Sequence, residues 1–86
     1  MKVYQSDNMT VYLLKDKIVV EFINTVLREP LLPHSQLYVI ELSEILGIRL
    51  IRDKVILVLR DGTSLELDVN DPYGLVKDLV NIIKSE

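Results

Sequence analysis

The 86-residue chain contains no cysteine, no tryptophan and no alanine. Without cysteine it can have no disulfide framework, no thiolate nucleophile and no cysteine-ligated zinc or iron–sulfur site. The lack of alanine removes the strongest helix former. The hydrophobic residues make up 49% of the chain and are mostly Leu, Val and Ile, which favour pleated sheet. Composition therefore predicts a mainly β protein.

The sequence also lacks an apolar N-terminal run and any segment long enough to span a membrane as a helix. We therefore expect a cytoplasmic protein with a single domain over residues 1–86. The composition would also suit a thermophilic source. Ten basic residues are scattered among thirteen acidic ones, for a net charge of −3. Because nucleic-acid binders neutralise phosphates with clustered Lys and Arg, the charge argues against nucleic acid and anionic lipid as partners.

About seven short apolar runs separated by turns predict antiparallel strands, at residues 3–5, 9–14, 17–28, 37–41, 45–51, 54–60 and 64–69. The runs 37–41 and 45–51 could pair with each other or form one bent segment, and Gly47 suits a bulge. Residues 29–35, with Pro30 and Pro33, form the main loop. Asp61-Gly62 between two β-rich runs favours a type I′ turn.

The last element is an amphipathic helix over residues 71–85. Asp71 is a natural N-cap and Pro72 suits the first helical position. Six apolar side chains then fall on one stripe, with polar residues such as Asp78 on the opposite side. The stripe comprises Leu75, Val76, Leu79, Val80, Ile82 and Ile83.

Two predicted strands, at residues 17–28 and 54–60, are apolar on both faces, where a half-exposed strand would alternate with polar residues. In residues 17–28 the second apolar face carries Val19, Ile23 and Leu27. One helix cannot cover every such face, so we expect a buried interface with a second copy or with another protein. Leu31 and Leu32 in the main loop could anchor such a partner or fold back over a sheet.

The order of seven strands and one capping helix resembles the pleckstrin-homology-like (PH-like) superfold of small prokaryotic type. The likeness is greatest in Ile40-Glu41-Leu42-Ser43-Glu44-Ile45, in the run 54–59, in Asp61-Gly62-Thr63 and in the final helix. It implies two near-orthogonal sheets, or a partly open barrel, plugged at one end by the helix. It further implies a binding scaffold that adds a peptide strand at residues 44–51, beside the helix.

Catalytic signals are weak. His34 has no second His or Cys at metal-ligand spacing and suits a solvated loop. Asp68, Asp71 and Asp78 do not indicate a cation site, and the glycines form no phosphate-binding loop. We expect no enzyme, catalytic residue, cofactor or metal.

The sequence thus predicts a non-catalytic interaction or assembly module, and a homo-oligomer or subunit of a complex. The alternative is a small β-barrel that binds nucleic acid through Tyr4, Tyr12, Tyr38 and Tyr73. The candidate interaction residues are Val19, Ile23, Leu27, Leu31, Leu32, Ile48 and Leu50.

Overall fold

A computed structural model describes the backbone of residues 1–24 and 34–85, and the side chains of residues 1–22 and 36–85. These residues form seven strands and one C-terminal helix, which confirms the predicted mainly β class. The strands form two separate antiparallel sheets, and among the described residues the two do not join into one closed sheet. The predicted loop at Pro30–Pro33 lies outside the described residues.

The first four strands form sheet A in chain order: β1 (Lys2–Gln5), β2 (Met9–Leu13), β3 (Lys17–Asn24) and β4 (His34–Glu41). β4 begins earlier than predicted, because His34 pairs with Asn24 of β3 instead of lying in the loop. Residues after Pro33 can all donate a backbone N–H, so the ladder extends up to that proline.

The remaining strands form sheet B: β5 (Ile45–Ile51), β6 (Lys54–Leu59) and β7 (Ser64–Leu67). A short 3-10 turn (Leu42–Glu44) separates β4 from β5. The sequence left open whether the runs 37–41 and 45–51 pair with each other or form one bent segment. They do neither, because β4 and β5 are separate strands in different sheets. The pairing of β5 with β6 shifts between Ile45 and Gly47, which confirms the predicted bulge.

The helix α1 (Pro72–Lys84) begins as predicted. The Asp71 carboxylate accepts a hydrogen bond from the Gly74 N–H at 3.0 Å, so one unpaired amide of the first turn is satisfied. Leu75 and Leu79 are fully buried, whereas Ile83 at the far end of the stripe is exposed. No helix in the described part of the chain has the length and apolar character to cross a membrane.

The inner faces of both sheets and α1 share one hydrophobic core. Its fully buried side chains come from two strands of each sheet and from the helix, and each contributes roughly 1.5–3 kcal/mol relative to exposure. They are Val11, Leu13, Ile18, Val20, Val55, Leu57, Leu67, Leu75 and Leu79. The predicted alternation of β7 is confirmed, with Leu67 buried and Glu66 exposed.

The predicted type I′ turn at Asp61-Gly62 is wrong. Gly62 has φ +92°, but Asp61 does not have the positive φ that a type I′ turn also requires. The Gly62 N–H donates to the Leu59 carbonyl at 3.1 Å, and the Leu59 N–H donates to the Thr63 carbonyl at 2.8 Å. These bonds define a three-residue loop, a type I turn followed by a left-handed glycine. Asp61 Oδ1 also accepts bonds from Thr63 Oγ1 and N, at 2.6 and 2.9 Å.

The type I′ geometry occurs instead at Arg52 and Asp53, whose φ values are +50° and +65°. They form a two-residue loop between the paired residues Ile51 and Lys54. Two tandem positive φ values match the right-handed twist of the hairpin, although neither residue is glycine.

Replacing Asp53 by glycine should therefore raise the free energy of unfolding, by about 0.5–1 kcal/mol, because glycine adopts positive φ without the Cβ penalty. Asp61→Gly is the matched control in the other hairpin. It should lower the free energy, because it removes the two hydrogen bonds from Thr63 and relieves no positive φ. Urea unfolding measures both, and equal losses in the two variants would contradict the assignment of the turns.

Candidate interaction surface

An apolar row crosses the outer face of sheet A. Cross-strand pairing places Val3, Tyr12, Val19 and Val39 directly beside one another, one on each strand. Val3 and Val39 are exposed, and Tyr12 and Val19 are half-buried. We call this row the outer stripe. The core lies on the opposite face of the sheet, so within the described residues the stripe faces outward.

β4 adds a second apolar feature at the edge of sheet A. Three consecutive residues, Leu37, Tyr38 and Val39, are exposed by 62%, 46% and 60%. Tyr38 lies on the core side, where its ring meets Phe22 edge-on at 5.5 Å between ring centres. Leu37 and Val39 lie on the outer side. Exposure on both faces indicates that the described part of the chain covers little of this strand.

The outer face of sheet B is different, although the sequence predicts β6 to be apolar on both sides. Ile56 is half-buried between Arg49 on β5 and Glu66 on β7. On the same face, Lys54 Nζ forms an ion pair with Glu66 Oε1 at 2.9 Å. Long charged side chains cover apolar surface with their aliphatic stems. The second apolar face of β6 is therefore partly covered by the chain itself.

A groove of about 340 Å³ runs between β5 and the last turns of α1. Its walls are mainly apolar, with Leu46 and Ile48 on one side and Val80 and Ile83 on the other, and Lys84 at one end. Leu46 is exposed on the bulged part of β5. The groove lies where the PH-like resemblance puts a bound peptide strand.

The predicted interaction residues are thus dispersed. Val19 lies in the outer stripe, Ile48 lines the groove while packing against the core, and Leu50 is exposed at the edge of β5. Ile23 is paired in β3, but its side chain lies outside the described residues, as do Leu27, Leu31 and Leu32 in full.

Leu37 and Val39 of β4 were not predicted as interaction residues, and Tyr38 was predicted only for the nucleic-acid alternative. Their exposure results from the position of β4 at the edge of sheet A, which the sequence pattern of residues 37–41 does not indicate. One signal was available: residues 36–40 contain no charge, proline or glycine. Such a run is unusual for a strand that ends up at a sheet edge.

A polar cluster ties α1 to β1. The Tyr4 hydroxyl donates a hydrogen bond to Asp78, and Lys2 Nζ contacts the same carboxylate at 3.1 Å. The prediction that Asp78 lies on the outward side of the helix is wrong, since its side chain is only 17% exposed. Helical periodicity places it at the margin of the apolar stripe, where β1 supplies polar partners.

The cluster shifts two pKa values in opposite directions. Burial, together with the hydrogen bond to Asp78, raises the pKa of Tyr4. The hydrogen bond from Tyr4, helped by Lys2, lowers the pKa of Asp78. Both shifts favour the state with a neutral tyrosine and an ionised carboxylate. This arrangement holds the helix against β1, and neither group is placed as a reactive acid or base at neutral pH.

The described residues contain no group of three or more His, Asp or Glu side chains that could hold a metal ion. A second hollow of about 300 Å³, lined by Lys2, Lys15 and Asp78 with apolar neighbours, lies between β1, β2 and α1. Because Asp78 already contacts Lys2, this hollow does not present a purely cationic surface.

In comparisons with known proteins, no protein-family model, curated protein or solved structure matches this chain. The PH-like resemblance therefore depends on the order of elements and stays a prediction.

We expect the polar cluster to give the protein an acid-sensitive stability. Because the pKa of Asp78 is lower in the folded than in the unfolded state, its contribution is present above the unfolded pKa of about 4. That contribution is lost as the pH falls through the folded pKa. Asp78→Asn should flatten the acid side of the stability profile, measured by urea unfolding from pH 7 down to pH 2.

Asp68→Asn, at an exposed position after β7, is the matched control and should leave the slope unchanged. Tyr4→Phe should act like Asp78→Asn on the acid side, since the Tyr4 hydroxyl is the main cause of the lowered Asp78 pKa. An unchanged acid slope in both Tyr4→Phe and Asp78→Asn would show that the cluster does not contribute.

Proposed function

We propose that this chain is a non-catalytic protein-interaction and assembly module, which self-associates or joins a larger complex through the outer stripe and the edge of β4. One observation carries the proposal. The exposed Leu37, Tyr38 and Val39 are contiguous with the stripe, so apolar surface continues from the face of sheet A onto its edge. Contiguous apolar surface of this kind is typical of protein interfaces.

The groove between β5 and α1 gives the module a second place for a protein partner. Its apolar walls and the nearby strand edge suit an extended segment that adds to β5. This part of the proposal rests on the PH-like resemblance as well as on the groove. The two surfaces belong to different sheets, so occupation of one does not require the other.

Charge supports a protein partner over nucleic acid or anionic lipid. A net charge of −3 repels phosphates, and of the four tyrosines Tyr4 is buried with its hydroxyl bound to Asp78. A chain without cysteine also suits the reducing cytoplasm, which we propose as its location.

The direct test is the solution mass of the purified chain, by light scattering after size exclusion. We expect a dimer or larger assembly at low salt that persists in 1 M NaCl, because salt does not screen apolar contact. A monomer at every concentration would contradict self-association. Nucleic-acid binding that weakens steeply with salt would favour a nucleic-acid-binding protein instead.

Val39→Lys should shift the assembly towards monomer, because it places a charge where the outer stripe meets the edge of β4. Val58→Lys is the matched control, since Val58 is a half-buried valine on the outer face of sheet B. Circular dichroism should confirm that both variants fold. Equal loss of mass in the two variants would show that the outer stripe is not the surface involved.

A further inference from the structure

The four edges of the two sheets differ in how well they resist pairing with another strand. Natural sheets protect their edges with charge, shortness, bulges or a covering segment. β1 has only four residues and begins with Lys2, and its Gln5 carbonyl accepts a bond from the Asn70 N–H at 2.9 Å. β5 carries the bulge at Gly47 and the exposed Arg49, and β7 is short and carries Glu66.

Within residues 1–24 and 34–85, β4 has none of these features along its central part. It spans eight residues, and positions 36–40 are uncharged and free of proline and glycine. Its only described neighbour in the sheet is β3. Within the described residues, β4 is therefore the edge best suited to accept a further strand.

The hydrogen-bond pattern shows which groups of β4 face outward. The Leu42 N–H donates to the Asp16 carbonyl at 3.0 Å, immediately beyond the last paired residues of β4 and β3. In an antiparallel ladder, residues bonded to the neighbouring strand alternate with residues that are not. Residues 36, 38 and 40 therefore bond to β3. The backbone N–H and C=O groups of Leu37 and Val39 point to the open edge.

The residues of this edge are complementary to the same edge of a second copy. In an antiparallel pair centred on Tyr38, Leu37 lies opposite Val39 of the second copy, and Val39 lies opposite Leu37 of the second copy. The outward backbone groups of these residues then bond to each other. Glu41 lies opposite Ser35 of the second copy, so no two carboxylates meet.

Neighbouring registers are less favourable. A pair centred on Val39 sets Leu37 opposite the charged Glu41, and a pair centred on Leu37 sets Val39 opposite the polar Ser35. Opposed apolar residues stabilise a sheet, whereas a charge opposite an aliphatic side chain does not. Self-pairing thus has one preferred register.

Both faces of the sheet support this register. On the outer face, Val39 ends the outer stripe, and Leu37 of the second copy would continue the apolar surface beyond it. On the core side, the two Tyr38 side chains would face each other across the two-fold axis as a pair without hydrogen bonds, where side chains approach most closely.

We infer that two copies of this chain pair antiparallel through β4, with Tyr38 at the two-fold axis. The inferred pairing rests on the proposed function. The product is a continuous eight-stranded sheet made from two copies of sheet A. The groove between β5 and α1 remains open in this dimer, because it belongs to the other sheet.

Cysteine cross-linking tests the register, since the chain has no cysteine of its own. Tyr38→Cys should become mainly a covalent dimer under mild oxidation, because Cα atoms in such a pair lie about 4.5 Å apart, within disulfide range. Leu37→Cys or Val39→Cys alone should cross-link poorly, since the matching Cα atoms would be roughly 8 Å apart. A mixture of these two variants should cross-link well, and it keeps Tyr38 in place.

Ser64→Cys, at an exposed position on β7 of sheet B, is the control and should stay monomeric on a non-reducing gel. Strong cross-linking of Val39→Cys or Leu37→Cys alone would overturn the register. An assembled wild type in which neither Tyr38→Cys nor the mixture cross-links would overturn pairing through β4, while the proposed function stands. A wild type that is monomeric at every concentration by light scattering would overturn this pairing and the self-association in the proposed function, and would leave only the role as a subunit of a larger complex.

Discussion

Burial of Leu75 and Leu79 of α1 in the core shared by the two sheets is the contact on which the rest of the structure depends. Neither sheet alone can bury its inner face, and a small domain has little apolar surface to spare. The helix contacts β5 and β6 of sheet B and is linked to β1 of sheet A through Asp78 and Tyr4. It therefore holds together two sheets that share no strand.

Where the helix packs determines which surfaces stay open. α1 borders β5 and β1, and Asn70 just before it bonds to the outer edge of β1. β4 is separated from β1 by the width of sheet A. The edge at which three consecutive apolar residues are exposed, Leu37 to Val39, is thus the one far from α1. α1 has only 13 residues and completes the core beside β1 and β5. An interaction surface at β4 is consistent with this position of the helix.

Local signals predicted much of the fold. The cap at Asp71, the bulge at Gly47 and the alternation of β7 each arise from a few adjacent residues, so the sequence reveals them. Features that depend on how the strands pair were missed. Arg52 and Asp53 adopt positive φ because the hairpin twist requires it, although neither residue is a strong signal for it. Of the predicted site, Val19 lies in the outer stripe, whereas the exposure of β4 depends on strand order, which periodicity does not encode.

Amide hydrogen exchange, followed residue by residue at low and high protein concentration, tests the central claim most directly. The N–H groups of Tyr38 and Ile40 bond to β3, so they should exchange slowly at both concentrations. Those of Leu37 and Val39 should exchange rapidly in dilute protein and become protected as the second copy binds. If Leu37 and Val39 stay unprotected in protein that light scattering shows to be assembled, β4 is not the interface.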